Sequence, residues 1–129
     1  MKTNVFDFCV GSCWDYNTSH NFDGLITSIR SEFEYIGCGR TRIVFVHNDR
    51  FVIKVPKSIW GLTDNWHEAS VCSNEHFCNA KLLHNVLLIM ERVSEVNGIQ
   101  LPSWTYGIDC QQVGITRSGK LKAYDFGLH

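Results

Sequence analysis

The sequence lacks the features that define several common classes of protein. It has two prolines in 129 residues, no internal repeat and no charge surplus, its formal net charge being −1. No segment reaches the ~20 apolar residues that a membrane-spanning helix needs, and no basic segment followed by an apolar run marks a secretory signal. We therefore expect a cytoplasmic protein that binds neither a membrane nor, without a basic surface, a nucleic acid.

Cysteine is present but not in a pattern that indicates disulfides or zinc. Without a secretory signal, a reducing compartment and free thiols are expected for the six cysteines, Cys9, Cys13, Cys38, Cys72, Cys78 and Cys110. His67, Cys72, His76 and Cys78 are close in sequence. Their spacing is not that of the short paired ligands of a zinc site, so buried thiols and surface histidines are the expected interpretation.

Length and composition predict one compact domain over residues 1–129, because 44% of the residues are hydrophobic and 19% are charged. Asn21 can cap a helix over 22–32, and Thr63 or Asp64 can cap a second one that ends near Ser73-Asn74. Runs rich in β-branched residues, separated by turn residues, predict strands over 34–37, 43–46, 51–55, 80–83, 86–90, 112–116 and 121–124. The expected class is α+β, with an antiparallel sheet of about five strands, one packed helix and a C-terminal hairpin.

Two short patterns carry chemistry. Gly37-Cys38-Gly39 lies between two predicted strands, where glycines allow backbone N–H groups to approach a phosphate, although the same pattern also occurs in ordinary tight turns. Lys54 ends an apolar strand and needs an anion if it is buried, and Glu68 on the following helix is the natural candidate. Alternatively, Lys54 ends an edge strand and points to water.

These pieces occur in the order of the protein-kinase motifs. Gly37-x-Gly39 with Val44, then Val52-Ile53-Lys54, Glu68, the run from Leu87 to Val93, and Asp125-Phe126-Gly127 together resemble the small lobe of a protein kinase and the hairpin that carries Asp-Phe-Gly. The compact arrangement is also similar to short kinase-like proteins of tailed bacteriophages. The resemblance implies an N-terminal extension with a helix (1–33), a small-lobe sheet and helix (34–93), and a truncated catalytic loop with the hairpin (94–129), the large lobe being absent.

The resemblance also implies ATP and Mg²⁺ as ligands. Gly37, Gly39 and Lys54 would lie at the phosphates, with Glu68 paired to Lys54. Asp125 and Gln112 would hold the metal. The adenine would dock beside Val44, Met90, Glu91 and Val93. In this comparison Met90 is the gatekeeper and Glu91 begins the hinge.

The sequence departs from the family where phosphoryl transfer is carried out. Arg42 stands at the third glycine, and Gly107 and Gln112 stand at the catalytic Asp and Asn positions; the nearest acid, Asp109, is two residues out of register. We therefore expect a pseudokinase that binds and modulates a host protein in the host cytoplasm, with ATP as a further ligand. Interface candidates, to a host protein or to a second copy, are Trp60, Trp66, Trp104 and Tyr106.

Two alternatives stay open. One is a very small active ATP-dependent protein kinase of the serine/threonine type, or an autokinase, with Asp109 as the base. The other is an α+β adaptor that binds no nucleotide.

Overall fold

The computed structural model describes residues 19–71, 75–94, 96, 101–108 and 112–124. These residues form an α+β fold, as the sequence predicts, with helices α1 (Ser19–Arg30) and α2 (Ile59–Val71) and a short 3-10 helix (Ser103–Gly107). The described strands are β1 (Glu34–Cys38), β2 (Arg42–Val46), β3 (Phe51–Pro56), β4 (Ala80–Leu83), β5 (Leu87–Glu91), β6 (Val93–Ser94), β7 (Val113–Thr116) and β8 (Leu121–Ala123). None of the described helices is long and apolar enough to cross a membrane.

The larger sheet is antiparallel and has the strand order β1-β2-β3-β5-β4 among the described residues, which confirms the predicted five strands. Its tight turns follow from local chemistry. Asn48 Oδ1 accepts the backbone N–H groups of Arg50 at 2.8 Å and Phe51 at 3.0 Å between β2 and β3. His84 and Asn85 both adopt positive φ, 53° and 59°, in the tight turn between β4 and β5, which Val86 N–H closes by donating to Leu83 O at 3.2 Å.

Strand alternation gives this sheet two different faces. One face is apolar and is covered by α1 through Phe22, Leu25 and Ile29, all of them buried. The sheet residues in this core are Ile43, Phe45, Ile53, Val55 and Leu87. The opposite face carries Val44, Val52, Leu88 and Met90, and it is the face that bounds the pocket described below.

Both helices begin earlier than predicted. α1 begins at Ser19, so Asn21 lies inside the helix and not at its cap. α2 begins at Ile59, so the predicted cap residue Asp64 lies inside the helix, where its Oδ2 accepts a hydrogen bond at 2.6 Å from Thr41 Oγ1 in the turn between β1 and β2. The predicted end of this helix at 73–74 lies outside the described residues.

Helix α2 approaches the sheet closely at Gly61. A Cβ at this position would lie 2.2 Å from the backbone oxygen of Thr41 and 3.0 Å from Cα of Pro56. Any larger residue would therefore push the helix away from the turn between β1 and β2. This contact fixes the distance between α2 and the strands whose side chains it meets.

The smaller sheet has the order β6-β7-β8 and includes the predicted C-terminal hairpin, whose turn contains Gly119 at φ +90°. Strand β6 was not predicted, because two residues are too few to show a periodic pattern. The smaller sheet joins the rest of the fold through backbone hydrogen bonds from Cys78 N–H to Ala123 O at 2.9 Å and from Ala123 N–H to His76 O at 2.7 Å.

Candidate functional site

The buried face of α2 is polar. Asp64, Asn65 and Glu68 recur at helical spacing and are each fully buried, beside the apolar Leu62. Buried polar side chains need hydrogen-bond partners, and the sheet supplies them. Asn65 Nδ2 donates to the backbone oxygens of Lys54 at 3.0 Å and Val86 at 2.9 Å, so it joins α2 to two parts of the sheet.

Glu68 lies between two cations. Lys54 Nζ donates to Glu68 Oε1 at 2.9 Å, and Arg42 Nη2 donates to Glu68 Oε2 at 2.7 Å. Burial alone raises the pKa of the Glu68 carboxyl, but the charges and hydrogen bonds of Lys54 and Arg42 outweigh it and hold the pKa below its ordinary value. The ion pair predicted between Lys54 and Glu68 is therefore present, and a second pair that the sequence did not indicate accompanies it.

Lys54 occupies a central strand and is only 4% exposed. The alternative in which it ends an edge strand and points to water is therefore wrong. Its ammonium also donates to the backbone oxygen of Tyr124, which ties β3 to the chain that follows β8. Lys54 thus contacts α2 and the end of the smaller sheet at once.

A cavity of about 500 Å³ opens in front of Lys54. It lies between the turn from β1 to β2, the second face of the larger sheet, the 91–94 segment, and residues 112 and 124. The structure brings together in its wall most of the predicted site residues: Gly37, Gly39, Val44, Lys54, Met90, Glu91, Val93 and Gln112. Glu68 is not among the lining residues, but its carboxylate pairs with the lining residue Lys54.

The charged side chains among the described residues of the cavity wall are mostly cationic. The described lining residues include Arg40, Arg42, Lys54 and Arg92, against the single carboxylate of Glu91. That carboxylate already accepts Lys122 Nζ at 3.0 Å. Because the chain as a whole has a net charge of −1, this local excess of positive charge favours an anionic ligand at the cavity over one elsewhere on the surface.

Lys57 adds a further positive charge at the glycine turn, the segment Gly37–Gly39. Its Nζ lies 3.0 Å from the backbone oxygen of Gly39 and 3.4 Å from Sγ of Cys38. Gly39 N–H in turn donates to Arg42 O at 2.8 Å, which closes the turn. The glycine turn is therefore held by backbone and lysine contacts next to the cavity.

Two predicted residues, Asp109 and Asp125, lie outside the described residues, as does the rest of Asp-Phe-Gly. Sequence reasoning missed Arg42, which it treated only as the loss of a glycine. It also missed Asn65 and the pair between Lys122 and Glu91. A charged residue among apolar neighbours at the start of β2 was the available signal for Arg42, the same signal that singled out Lys54.

The two described thiols have different surroundings. Cys38 is exposed on the glycine turn, and Cys78 is buried; both are free. Burial, followed by the nearby carboxylate of Glu91, raises the pKa of Cys78 to about 12. Cys78 therefore stays a neutral thiol near pH 7 and is not an activated nucleophile.

Comparisons with protein-family models, with curated proteins and with solved structures find no match.

Proposed function

We propose that this protein is a kinase-like protein that binds a nucleoside triphosphate such as ATP in the cavity and acts by binding another protein, without phosphoryl transfer. The observation that carries the nucleotide part is the position of Lys54, buried in the cavity wall and paired with Glu68 at 2.9 Å, beside the glycine turn. A buried ammonium held by one carboxylate and facing a cavity is arranged to meet the charge of a phosphate.

The rest of the cavity fits the same ligand. Val44, Val52, Met90 and Val93 provide apolar surface on which a planar base can lie, next to the backbone of 91–93. The cationic side chains named above meet the phosphate charge. A volume of about 500 Å³ lies within the range of small-ligand pockets.

The described residues fit the phosphates better than they fit Mg²⁺. Gln112 can offer its amide oxygen from the cavity wall, whereas the Glu91 carboxylate is taken by Lys122. Among the residues that the structure describes, no group of three or more His, Cys, Asp or Glu side chains is placed to hold a metal. Asp125, which the resemblance assigns to Mg²⁺, would be the main metal-binding residue.

Replacing Lys54 by Met is expected to weaken ATP binding tenfold or more, because the buried cation at the phosphates is removed while Glu68 keeps Arg42 as a partner. Wild-type protein at an ATP concentration of about 100 times Kd should gain ~2.7 kcal/mol of stability against unfolding, and the variant should gain much less. Isothermal titration calorimetry and thermal unfolding with and without ATP measure both effects.

Lys81→Met is the matched control, since Lys81 is exposed on β4 and does not line the cavity. Its ATP affinity should equal that of the wild type. If wild-type protein shows neither heat of binding nor a thermal shift with ATP, the nucleotide part of the proposal is wrong and the adaptor alternative replaces it. Transfer of label from ATP to the protein or to a lysate protein would instead favour the kinase alternative.

The exposed face of α2 supports the protein-binding part. Ile59, Trp60 and Trp66 are 44%, 72% and 41% exposed, whereas Asn65 and Glu68 on the same helix are fully buried. Tryptophans exposed to this extent are typical of interfaces. Trp104, another candidate, instead stacks on His76 with ring centroids 4.1 Å apart. The side chain of Tyr106 is not among those described.

Trp60→Ser is expected to abolish capture of a bacterial host protein, or to weaken it at least tenfold, while the fold and ATP affinity stay unchanged. The resemblance to short bacteriophage proteins is what makes a host protein the proposed partner. Capture from lysate by the immobilised protein, quantified by mass spectrometry, measures the effect. Phe51→Ser serves as the control because Phe51 is an exposed aromatic residue on β3 and not on α2. Equal capture by wild type and Trp60→Ser would exclude this face as the interface.

A further inference from the structure

Arg42 occupies a position on the cavity wall that its role in the fold does not fully explain. It begins β2 and is only 5% exposed, yet it lines the cavity. Strand alternation places it on the same face as Val44, and Val44 is the register partner of Lys54. Arg42 and Lys54 therefore stand on adjacent strands on the cavity side of the sheet, and they share the two oxygens of Glu68.

Among the residues that the structure describes, cations outnumber carboxylates around Arg42 and Lys54. Six cationic side chains line the cavity or contact its wall: Arg40, Arg42, Lys54, Lys57, Arg92 and Lys122. The carboxylates packed against the same elements are Asp64, which accepts Thr41, Glu68, which accepts Lys54 and Arg42, and Glu91, which accepts Lys122. Positive charge therefore exceeds negative charge in the described part of the cavity wall, and partial burial strengthens its attraction for an anion.

We infer that Arg42 is a phosphate-binding residue of this cavity and that, with Lys54, it forms a subsite for the terminal phosphates of a nucleotide. A guanidinium has five N–H donors in a planar fork, so it can hold Glu68 and Asn65 and still donate to a phosphate oxygen. The Glu68 carboxylate keeps the two cations side by side. The inference rests on the proposed nucleotide binding and adds the residue that provides the phosphate affinity.

Phosphate binding by Arg42 and Lys54 affects the metal dependence of ATP binding. Where side-chain cations neutralise the phosphates, binding does not require a divalent ion to do so. ATP should therefore bind with similar affinity in the presence of Mg²⁺ and in EDTA. Inorganic pyrophosphate should compete with ATP for the subsite. The affinity for adenosine, which has no phosphate, should not depend on Arg42.

The test compares wild type, Arg42→Gln and Arg42→Lys in titrations with ATP, adenosine and inorganic pyrophosphate, each with Mg²⁺ and with EDTA. Arg42→Gln is expected to lower the affinities for ATP and pyrophosphate tenfold or more. Its affinity for adenosine should stay within twofold of the wild-type value. Arg42→Lys should restore part of the loss. Removing Mg²⁺ should change the wild-type affinity for ATP less than threefold. Arg117→Gln, in the exposed turn between β7 and β8, is the control and should bind like the wild type.

The outcomes separate the inference from the proposed function. If wild-type protein binds neither ATP nor pyrophosphate, both are wrong. If it binds ATP and Arg42→Gln binds equally well, the inference is overturned and the proposed function stands. Equal weakening of ATP and adenosine would show that Arg42 only supports the fold, which also overturns it. Glu68 retains Lys54 in both variants, and Arg42→Lys also retains the charge, so a poorly folded Arg42→Gln leaves the comparison with Arg42→Lys decisive.

Discussion

Replacing Glu68 by Ala is expected to lower the free energy of unfolding by ~3–5 kcal/mol, because two buried cations lose the carboxylate that they share. Lys54 and Arg42 approach separate oxygens of Glu68 at 2.9 and 2.7 Å, and all three side chains are almost completely buried. A domain of this size has a total stability of only ~5–15 kcal/mol, so the variant should be marginally folded at 25 °C. Urea unfolding followed by tryptophan fluorescence measures the change.

Glu68→Gln retains the volume and one acceptor oxygen, so its loss should be smaller than that of Glu68→Ala. The surface variant Glu75→Gln is the control; Glu75 is exposed and lies 3.8 Å from His76, so its unfolding free energy should stay within ~0.5 kcal/mol of wild type. A stability of Glu68→Ala equal to that of this control would contradict the central role of the carboxylate.

The same carboxylate makes the fold sensitive to acid. The pKa of Glu68 is below its ordinary value of 4.5 in the folded state, so the unfolded chain binds more protons between the two pKa values. The stabilisation is complete above the unfolded pKa and is lost as the pH falls through the folded one. Glu68→Gln should remove this part of the acid sensitivity, which unfolding curves recorded from pH 7 down to acid conditions can test.

Asn65→Ala is expected to lower the free energy of unfolding by about 3 kcal/mol, because it leaves several buried groups without their present partner. Asn65 donates to the backbone oxygens of Lys54 and Val86, and its Oδ1 accepts from Arg42 Nη1 at 3.2 Å. Chemical denaturation of the purified variant gives the change in unfolding free energy.

Two further variants sharpen the Asn65 prediction. Asn65→Asp keeps an acceptor for Arg42 but loses both donors, so it should also destabilise the fold. Thr63→Ala removes an exposed hydroxyl that bonds only within α2, to Ile59 O at 3.1 Å, and should change stability by less than ~0.5 kcal/mol. Similar stabilities for Asn65→Ala and Thr63→Ala would mean that the bridge between α2 and the sheet contributes little.

Local patterns predicted much of the fold. The turns at 47–50 and 84–85 were predictable because Asn, Asp and His side chains and positive φ act over two or three residues. The strands were predictable because alternation needs only neighbouring residues. The starts of α1 and α2 were misplaced because a cap residue such as Asp64 can use its oxygen across the fold instead of at its own helix end.

The candidate site was predicted only in part. Lys54 and Glu68 are 14 positions apart on consecutive elements, and a buried lysine needs an acid, so their pairing could be expected. The role of Arg42 could not, because it depends on the register of β2 against β3 and on the rotation of α2, 26 positions away. The sequence therefore indicated only that Arg42 replaces a glycine, whereas in the structure its side chain pairs with Glu68.

The amino-acid sequence by itself determined the order of strands and helices, the turns between them and the residue types available for an anionic ligand. These depend on short-range sterics, hydrogen bonding and the alternation of apolar residues. Only the tertiary structure decided that α1 covers one face of the sheet, that β6 joins β7, and that a single carboxylate holds two cations at a cavity. Such contacts depend on strand register and helix rotation, which are set by packing among residues distant in the chain.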